Sequence, residues 1–536
     1  MKVQSFLIAL TTTLLFWFVL AFLPGSIEAL TNPINIGNPQ LKIERASKFF
    51  PKESALTFHW LADSKKIPGS VTSITNNRID KEALYTAKSL RNALFALAGL
   101  DFENELAEWI EPEISFALLN LNEAKSDFQW VMVLTSSKEN DAKNFLERFW
   151  LKESLGGVDV NIKRYRGVSL IKSNQFTNSS NYNSLATALI DESMILIASD
   201  EATLKTSLNI SQFDEKNQAG EKQLKDTIEK LNNGLALISL SPEILNSILE
   251  LPKEIIEQKD FSGFTAALNQ DKNNLILDGI FHYHSPFQEK EQSTKELDES
   301  LIDSTKGPAE ILGILYSPYT LLKEDSQDPF RNWIARLISN KLKETKGVAP
   351  KAILALNQET LIWIREPKGW VIGTHQGSPS ISNISEIMMQ DNQLKSNLLI
   401  DDQEFEVWSK LIANKVNEEN IIETELGVIV SKENGNNWWG ENLPALQQRQ
   451  KEGVQLREKQ LEELNSDYKK HPFMQLALNE KYAQELLQNW KPWRILNSIA
   501  GGSLKTLVKG LALSIDSDWE QEDSSINLRA NLQITS

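Results

Sequence analysis

Paired apolar runs joined by short polar breaks constrain this chain most. EISFALLNL (113–121) and FQWVMVLTS (128–136) flank the polar EAKSD. FTAALNQ (264–270) and NLILDGIFHYH (274–284) flank Asp271-Lys272-Asn273, and VKGLALSID (508–516) precedes INLRANLQI (526–534). Each pair has the length and punctuation of a β-hairpin. An isolated hairpin is marginal in water, so each must bury a face against further strands or helices.

Helical patterns lie between them. Asp80 can cap a helix over 80–98, with Leu84, Ala87, Leu90, Leu94 and Leu97 on one stripe and Gly99 after it. Ser136 and Glu139 match a capping box ahead of Ala142, Phe145, Leu146, Phe149 and Trp150, and Gly156-Gly157 closes that helix. SALTFHWL (54–61), VNIKRYRGVSLIKS (160–173), ATALID (186–191) and MILIAS (194–199) read as strands. So do GLALISL (234–240), ILGILYS (311–317), AILALN (352–357), LIWIRE (361–366), WVIGTH (370–375) and IETELGVIVS (422–431). Ser241-Pro242-Glu243 starts a helix, another covers about 329–344, and a charge-balanced helical region spans 443–490 with Pro472 as a break. The helix at 443–468 is expected to pack on its own sheet, since sustained heptads are lacking.

The expected fold class is α+β: an N-terminal transmembrane or signal segment, then repeated modules of antiparallel sheet with helices packed on one face. A strand, a helix and a hairpin recur at 54–137, 234–284 and 422–534, and a second unit at 138–208 and 295–374. This is a repeat of topology rather than of sequence, and coincidence within any α+β chain is the alternative. The expected organisation is a signal anchor or signal peptide (1–29), a linker (30–50), and three α+β modules at 51–212, 213–400 and 401–536.

Residues 6–23 carry no charge, follow Lys2 and end at Pro24-Gly25. As a helix they reach about 27 Å against a hydrocarbon core of about 30 Å. That is long for a signal peptide and short for an anchor; an uncleaved anchor is favoured over cleavage near Ile27-Glu28-Ala29. Either way residues 30–536 are expected outside the cytoplasm, in the periplasm or a thylakoid lumen, behind a single span.

The 536 residues include 56 Lys plus Arg and 72 Asp plus Glu, a net charge of −16 that disfavours nucleic-acid binding. Zero cysteines exclude disulfides, thiolate metal sites, a lipobox anchor and a cysteine nucleophile. At 41% hydrophobic residues the chain can bury a large core.

The order of motifs resembles a known family. GLDFENELAEWIEPEISFAL (99–118), followed by FLERFW, YRGVSLI and ATALIDESMILIASD, is similar to a cyanobacterial family of exported, membrane-associated proteins classed as a domain of unknown function. The family's Trp-hydrophobic-Gly-Glu element departs here, because Glu111-Pro112-Glu113 follows Trp109-Ile110. The resemblance spans most of 50–535, with its specific motifs in 99–200. It implies export, membrane association and a cyanobacterial host, and brings no activity or catalytic residues.

No catalytic constellation emerges. GGSLKT (501–506) lacks phosphate-loop spacing, and Ser169 and Lys172 fall on opposite faces of an expected strand. Of five histidines (His59, His282, His284, His375, His471), His282 and His284 leave one face of a strand, read as a water-facing edge rather than half a metal site. Two carboxylate groups stand out: Asp401, Asp402, Glu404 and Glu406, and Glu103, Glu105, Glu108, Glu111 and Glu113. Such groups can cleave glycosides or hold calcium, but in an acidic chain they read first as solvated faces. Among 14 tryptophans, Trp438 and Trp439 in NGNNWWGE are expected on a loop as a surface binding element; Trp109 and Trp150 are expected in the core. Catalytic, cofactor and metal residues are therefore assigned to none. The expected function is a non-catalytic membrane-anchored binding or assembly protein of the envelope or thylakoid, partnered with the membrane through residues 6–23 and with a protein. The alternative is an exported hydrolase acting on cell-wall glycan or peptide through an acidic cluster, with Glu113 as the residue to test.

Overall fold

The structure, a computed structural model, describes the chain outside residues 1–38, 63–94, 121–127, 175–184, 285–300, 451–471 and 519–524, and outside short gaps at 96–97, 137, 139, 250, 252, 258, 272–273, 302–304, 306–308, 323–328, 344–346, 377–378, 417–418, 492, 495–496, 498–503 and 535–536. The strands are β1 (Leu56–Trp60), β2 (Ile110–Asn120), β3 (Gln129–Ser136), β4 (Asp159–Tyr165), β5 (Val168–Asn174), β6 (Ala186–Ile190), β7 (Met194–Ala198), β8 (Ala236–Leu240), β9 (Phe261–Asp271) and β10 (Asn274–Tyr283). They continue with β11 (Ile311–Leu315), β12 (Leu361–Glu366), β13 (Gly369–His375), β14 (Leu394–Ile400), β15 (Gln403–Val416), β16 (Glu419–Glu433), β17 (Asn436–Gly440), β18 (Pro472–Asn479), β19 (Val508–Asp518) and β20 (Ser525–Ile534).

All twenty belong to one sheet, and every pairing is antiparallel. The ladders join end to end in the order β4-β5-β6-β7-β3-β2-β1-β8-β9-β10-β20-β19-β18-β11-β12-β13-β17-β16-β15-β14. Among the described residues the sheet is open, with β4 and β14 as its edges.

Alternation explains how the sheet is covered. In β3, Trp130, Met132 and Leu134 point one way and Val131 and Val133 the other, and all are buried. Both faces are apolar, so both need covering. One face forms a continuous core from Phe58 and Trp60 through Phe116, Met132, Phe264, Phe281 and Leu511 to Trp370 and Trp439. Helices Asp141–Leu155, Pro242–Leu249, Ala349–Leu356, Pro379–Gln390 and Glu480–Asn489 contribute to it through Phe145, Ile244, Ile353, Met388 and Leu487. The second face carries three separate clusters. Helix Glu201–Ile210 covers Val131, Val133 and Leu196; helix Lys222–Leu231 covers Leu237, Ala267 and Ile280; helix Leu443–Gln450 covers Ile364, Ile429 and Trp438.

This overturns the expectation of repeated modules with helices on one face. One sheet runs through all three residue ranges: β1 pairs with β8, β10 with β20, and β11 with β18. Helices lie on both faces because the strands are apolar on both. Two local readings also change. AILALN belongs to helix Ala349–Leu356, whose first turn holds Pro350, and a short apolar run does not distinguish helix from strand. Pro472 opens β18 instead of breaking a helix. The apolar run 6–23, residues 80–94 of the helix expected over 80–98 and the charged stretch 451–471 lie outside the described residues. Among the described residues, no helix is long and apolar enough to cross a membrane.

Candidate functional site

The β14 edge departs most from an ordinary surface. Ile400 pairs with Gln403, so Asp401 and Asp402 form a two-residue turn, both at positive φ (50° and 62°) as a type I′ hairpin requires. These two members of the first carboxylate group thus serve the turn. Glu406 lies on β15 with Lys395 at 3.0 Å and Lys432 hydrogen-bonded to it. Burial pushes its carboxyl up, but the two lysines outweigh that and hold it below the usual range.

On the β14–β15–β16 face that carries Phe405 and Val407, Leu394 is in register with Ser409 and Leu426, Leu411 with Thr424, and Ala413 with Ile422. Leu398, Leu394, Leu426, Leu411 and Ile422 therefore form one apolar stripe, and each is at least 41% exposed. On the other face Leu399 reaches 72%. Edge strands are usually blunted by charge, proline or bulges. Edge β4 follows that pattern with Asp159, Lys163 and Arg164 in seven residues. Edge β14, LKSNLLI, has one lysine and no proline, and its ladder to β15 is unbroken.

A second feature lies on the helix-divided face at the centre of the sheet. Asp278, Arg529, Ser514 and Gln475 stand directly opposite one another across β10, β20, β19 and β18. Arg529 Nε lies 3.6 Å from Asp278 Oδ1, and Asn527 Nδ2 donates to Asp516 Oδ1 at 2.6 Å. Tyr316 Oη donates to Gln475 Oε1 at 3.1 Å, and burial pushes its phenol up to about 12. Beneath Leu231 a cavity of about 10 Å³ meets Asp278, Ser514, Asp516 and Arg529, and the buried Ser514 hydroxyl has no hydrogen-bond partner among the described residues. That volume suits one water molecule and nothing larger.

A Ser–His contact was missed by sequence reasoning. His59 on β1 faces Ser115 on β2, with Nδ1 and Oγ 2.8 Å apart. Only antiparallel registration of β1 on β2 brings them together. Both are sealed, at 1% and 0% exposure, and burial holds His59 at about 3. A nucleophile–base pair without access to substrate is a core hydrogen bond.

The remaining expected sites are dispersed. Trp438 and Trp439 lie in β17, buried, rather than on a loop. Gly373 leaves space for the Trp438 ring, the Arg449 guanidinium covers it at 4.1 Å, and Arg449 pairs with Glu433 at 2.6 Å. Trp439 Nε1 donates to Thr374 Oγ1 at 3.1 Å. Asn434-Gly435 supplies the tight turn that makes NGNNWWG a strand start. His282 is buried on the central strand β10, where burial and then the nearby Lys230 hold it at about 3; His284 is exposed. The two rings therefore share neither a water-facing edge nor a metal site. Among the described residues no group of three or more metal-ligating side chains forms. Glu105 accepts from the Asp101 backbone N–H and pairs with Lys152 at 2.7 Å, while Glu113 lies on β2, where burial raises its carboxyl.

A family model described as "Protein of unknown function (DUF3352)" matches residues 8–533. No curated protein matches the chain. Among solved structures, crystal forms III, IV and I of TP0453 are similar at 9%, 8% and 6% identity. They cover 46%, 45% and 46% of this chain and 81%, 82% and 80% of their own, with TM-scores of 0.26, 0.26 and 0.25.

Proposed function

We propose a role for this chain, which belongs to the DUF3352 family of proteins of unknown function, as a non-catalytic assembly protein. It is held to a membrane by residues 6–23, extends residues 30–536 outside the cytoplasm, and docks a protein partner along the β14 edge. The observation that carries this reading is the apolar stripe of Leu394, Leu398, Leu411, Ile422 and Leu426 beside an unblunted edge strand. Fully burying such a side chain is worth about 1.5–3 kcal/mol, so covering five half-exposed ones yields roughly 4–7 kcal/mol before the cost of association. An edge strand adds main-chain hydrogen bonds to an incoming strand, which supplies direction as well as affinity.

The test uses the full chain expressed in a bacterial host. Membranes are washed with high salt and carbonate, solubilised in mild detergent and run on native gels. The expected result is an intact chain near Met1 in the washed membrane, migrating as a complex heavier than one chain. Leu394→Lys/Leu398→Lys/Leu411→Lys should migrate as a single chain. A soluble chain starting near Leu30, or identical migration of the two proteins, overturns the reading.

A further inference from the structure

We infer that the occupant of the β14 edge is β14 of a second copy of this chain, paired antiparallel about a two-fold axis at Asn397. The inference rests on the docking reading above and names its partner. Antiparallel neighbours share a face, so only registers that oppose residues of equal parity keep the sheet continuous. With Asn397 opposite itself, all seven residues of β14 (Leu394–Ile400) are paired. Leu394 then opposes Ile400 and Leu398 opposes Ser396 on the apolar face, so the two stripes merge. On the other face Lys395 opposes Leu399 of the second copy, which is flanked by Glu404 on β15. The uncharged Asn397 sits at the axis, where a charged residue would meet its own like. Shifting the axis to Lys395 would place two lysines directly opposite each other, which is destabilising. In this register the same patch opposes itself with apolar residues merged and no like charges face to face, as an isologous interface requires. The β4 edge, with Asp159, Lys163 and Arg164, offers no such match.

The absence of cysteine from the chain makes the test clean. Directly opposed antiparallel residues have Cα atoms about 4.5–5.5 Å apart, within disulfide range. Purified full-length Asn397→Cys in detergent, treated with copper–phenanthroline, should give a disulfide dimer. Leu394→Cys and Ile400→Cys should each stay single, because each lies about 20 Å from its own copy across the axis. Mixed together, those two proteins should cross-link to each other. Adding Leu398→Lys to Asn397→Cys should cut the dimer yield at least tenfold, with an unchanged near-UV circular dichroism spectrum because Leu398 is half exposed. Ile162→Cys on the β4 edge is the control and should stay single. If Asn397→Cys stays single while the chain still runs in a heavier native complex, the second-copy inference falls and the docking reading survives. Equal cross-linking by every single-cysteine variant also overturns the inference, since it would mean unregistered contact.

Discussion

Acid should unfold this protein through two histidines buried within its sheet. His59 and His282 are both sealed, and burial holds each at about 3 instead of the ordinary 6.5. The folded chain therefore keeps both rings neutral, whereas the unfolded chain protonates them below pH 6.5. The unfolded state binds more protons throughout that interval, so stability falls as pH drops from 6.5 toward 3 and levels off below. Each pH unit below 6.5 is worth about 1.4 kcal/mol per ring, so at pH 5 the loss is about 2 kcal/mol for each and about 4 kcal/mol for both. That is a large fraction of a typical folding free energy of about 5–15 kcal/mol.

The assay is urea unfolding of the purified chain at pH 7.5 and pH 5, for wild type and His59→Gln/His282→Gln. Glutamine can still hydrogen-bond Ser115 but does not titrate. Wild type should lose about 4 kcal/mol more than the double variant between the two pH values, whatever the variants' stability at pH 7.5. Equal losses in the two proteins would refute the reasoning.

Gly373→Ala should destabilise by about 1–3 kcal/mol in the same assay, because an added Cβ would lie 2.4 Å from the Trp438 ring within a packed sheet. Glu201 is held down to about 2, first by hydrogen bonds from Lys172, which ties the β5 strand to helix Glu201–Ile210, and from Lys205 one turn along the same helix. Its stabilisation is present above the ordinary carboxylate range and is lost as pH falls through about 2. Glu201→Gln should therefore flatten the stability profile between pH 4.5 and 2, at a cost near neutral pH of under about 1 kcal/mol.

Local pairing was legible in the sequence and long-range order was not. The three apolar hairpins became β2–β3, β9–β10 and β19–β20, because alternation and a short polar break suffice to specify neighbours. Nothing in SALTFHWL indicates that β1 sits between β2 and β8, or that β20 sits between β10 and β19. Those placements depend on burial of both faces across distant segments. His282 and His284 looked like an edge because alternation gives their face but not the number of strands beside it. The exposed β14 edge was illegible for a related reason. LKSNLLI alternates imperfectly, and Asp401-Asp402 carries no glycine or asparagine to mark the two-residue turn that pairs it with β15. Asn434-Gly435 was a readable hairpin signal that would have placed Trp438 and Trp439 in a strand.

The polar belt of Asp278, Arg529, Ser514 and Gln475 sits where the two halves of the sheet are joined. Strands β1–β10 form one run and β11–β17 the other, and β18, β19 and β20 bridge them. The core face at that junction is lined by Leu275, Leu511, Leu528 and Leu532, and a two-residue slip of β20 that set Leu532 opposite Leu277 and Leu528 opposite Phe281 would keep leucines opposite apolar partners. Apolar patterning alone specifies this seam weakly. The opposite face does not tolerate the slip: Asp278 would lose Arg529 and meet Asn531. This ion pair is only partly buried, and such a pair adds little net stability against a well-packed apolar replacement, yet it can dictate register. Asp278→Leu/Arg529→Leu should therefore unfold within about 2 kcal/mol of wild type, while amide hydrogen exchange along β10 and β20 becomes faster and heterogeneous. Exchange in both strands identical to wild type would show that packing, not the belt, sets the register.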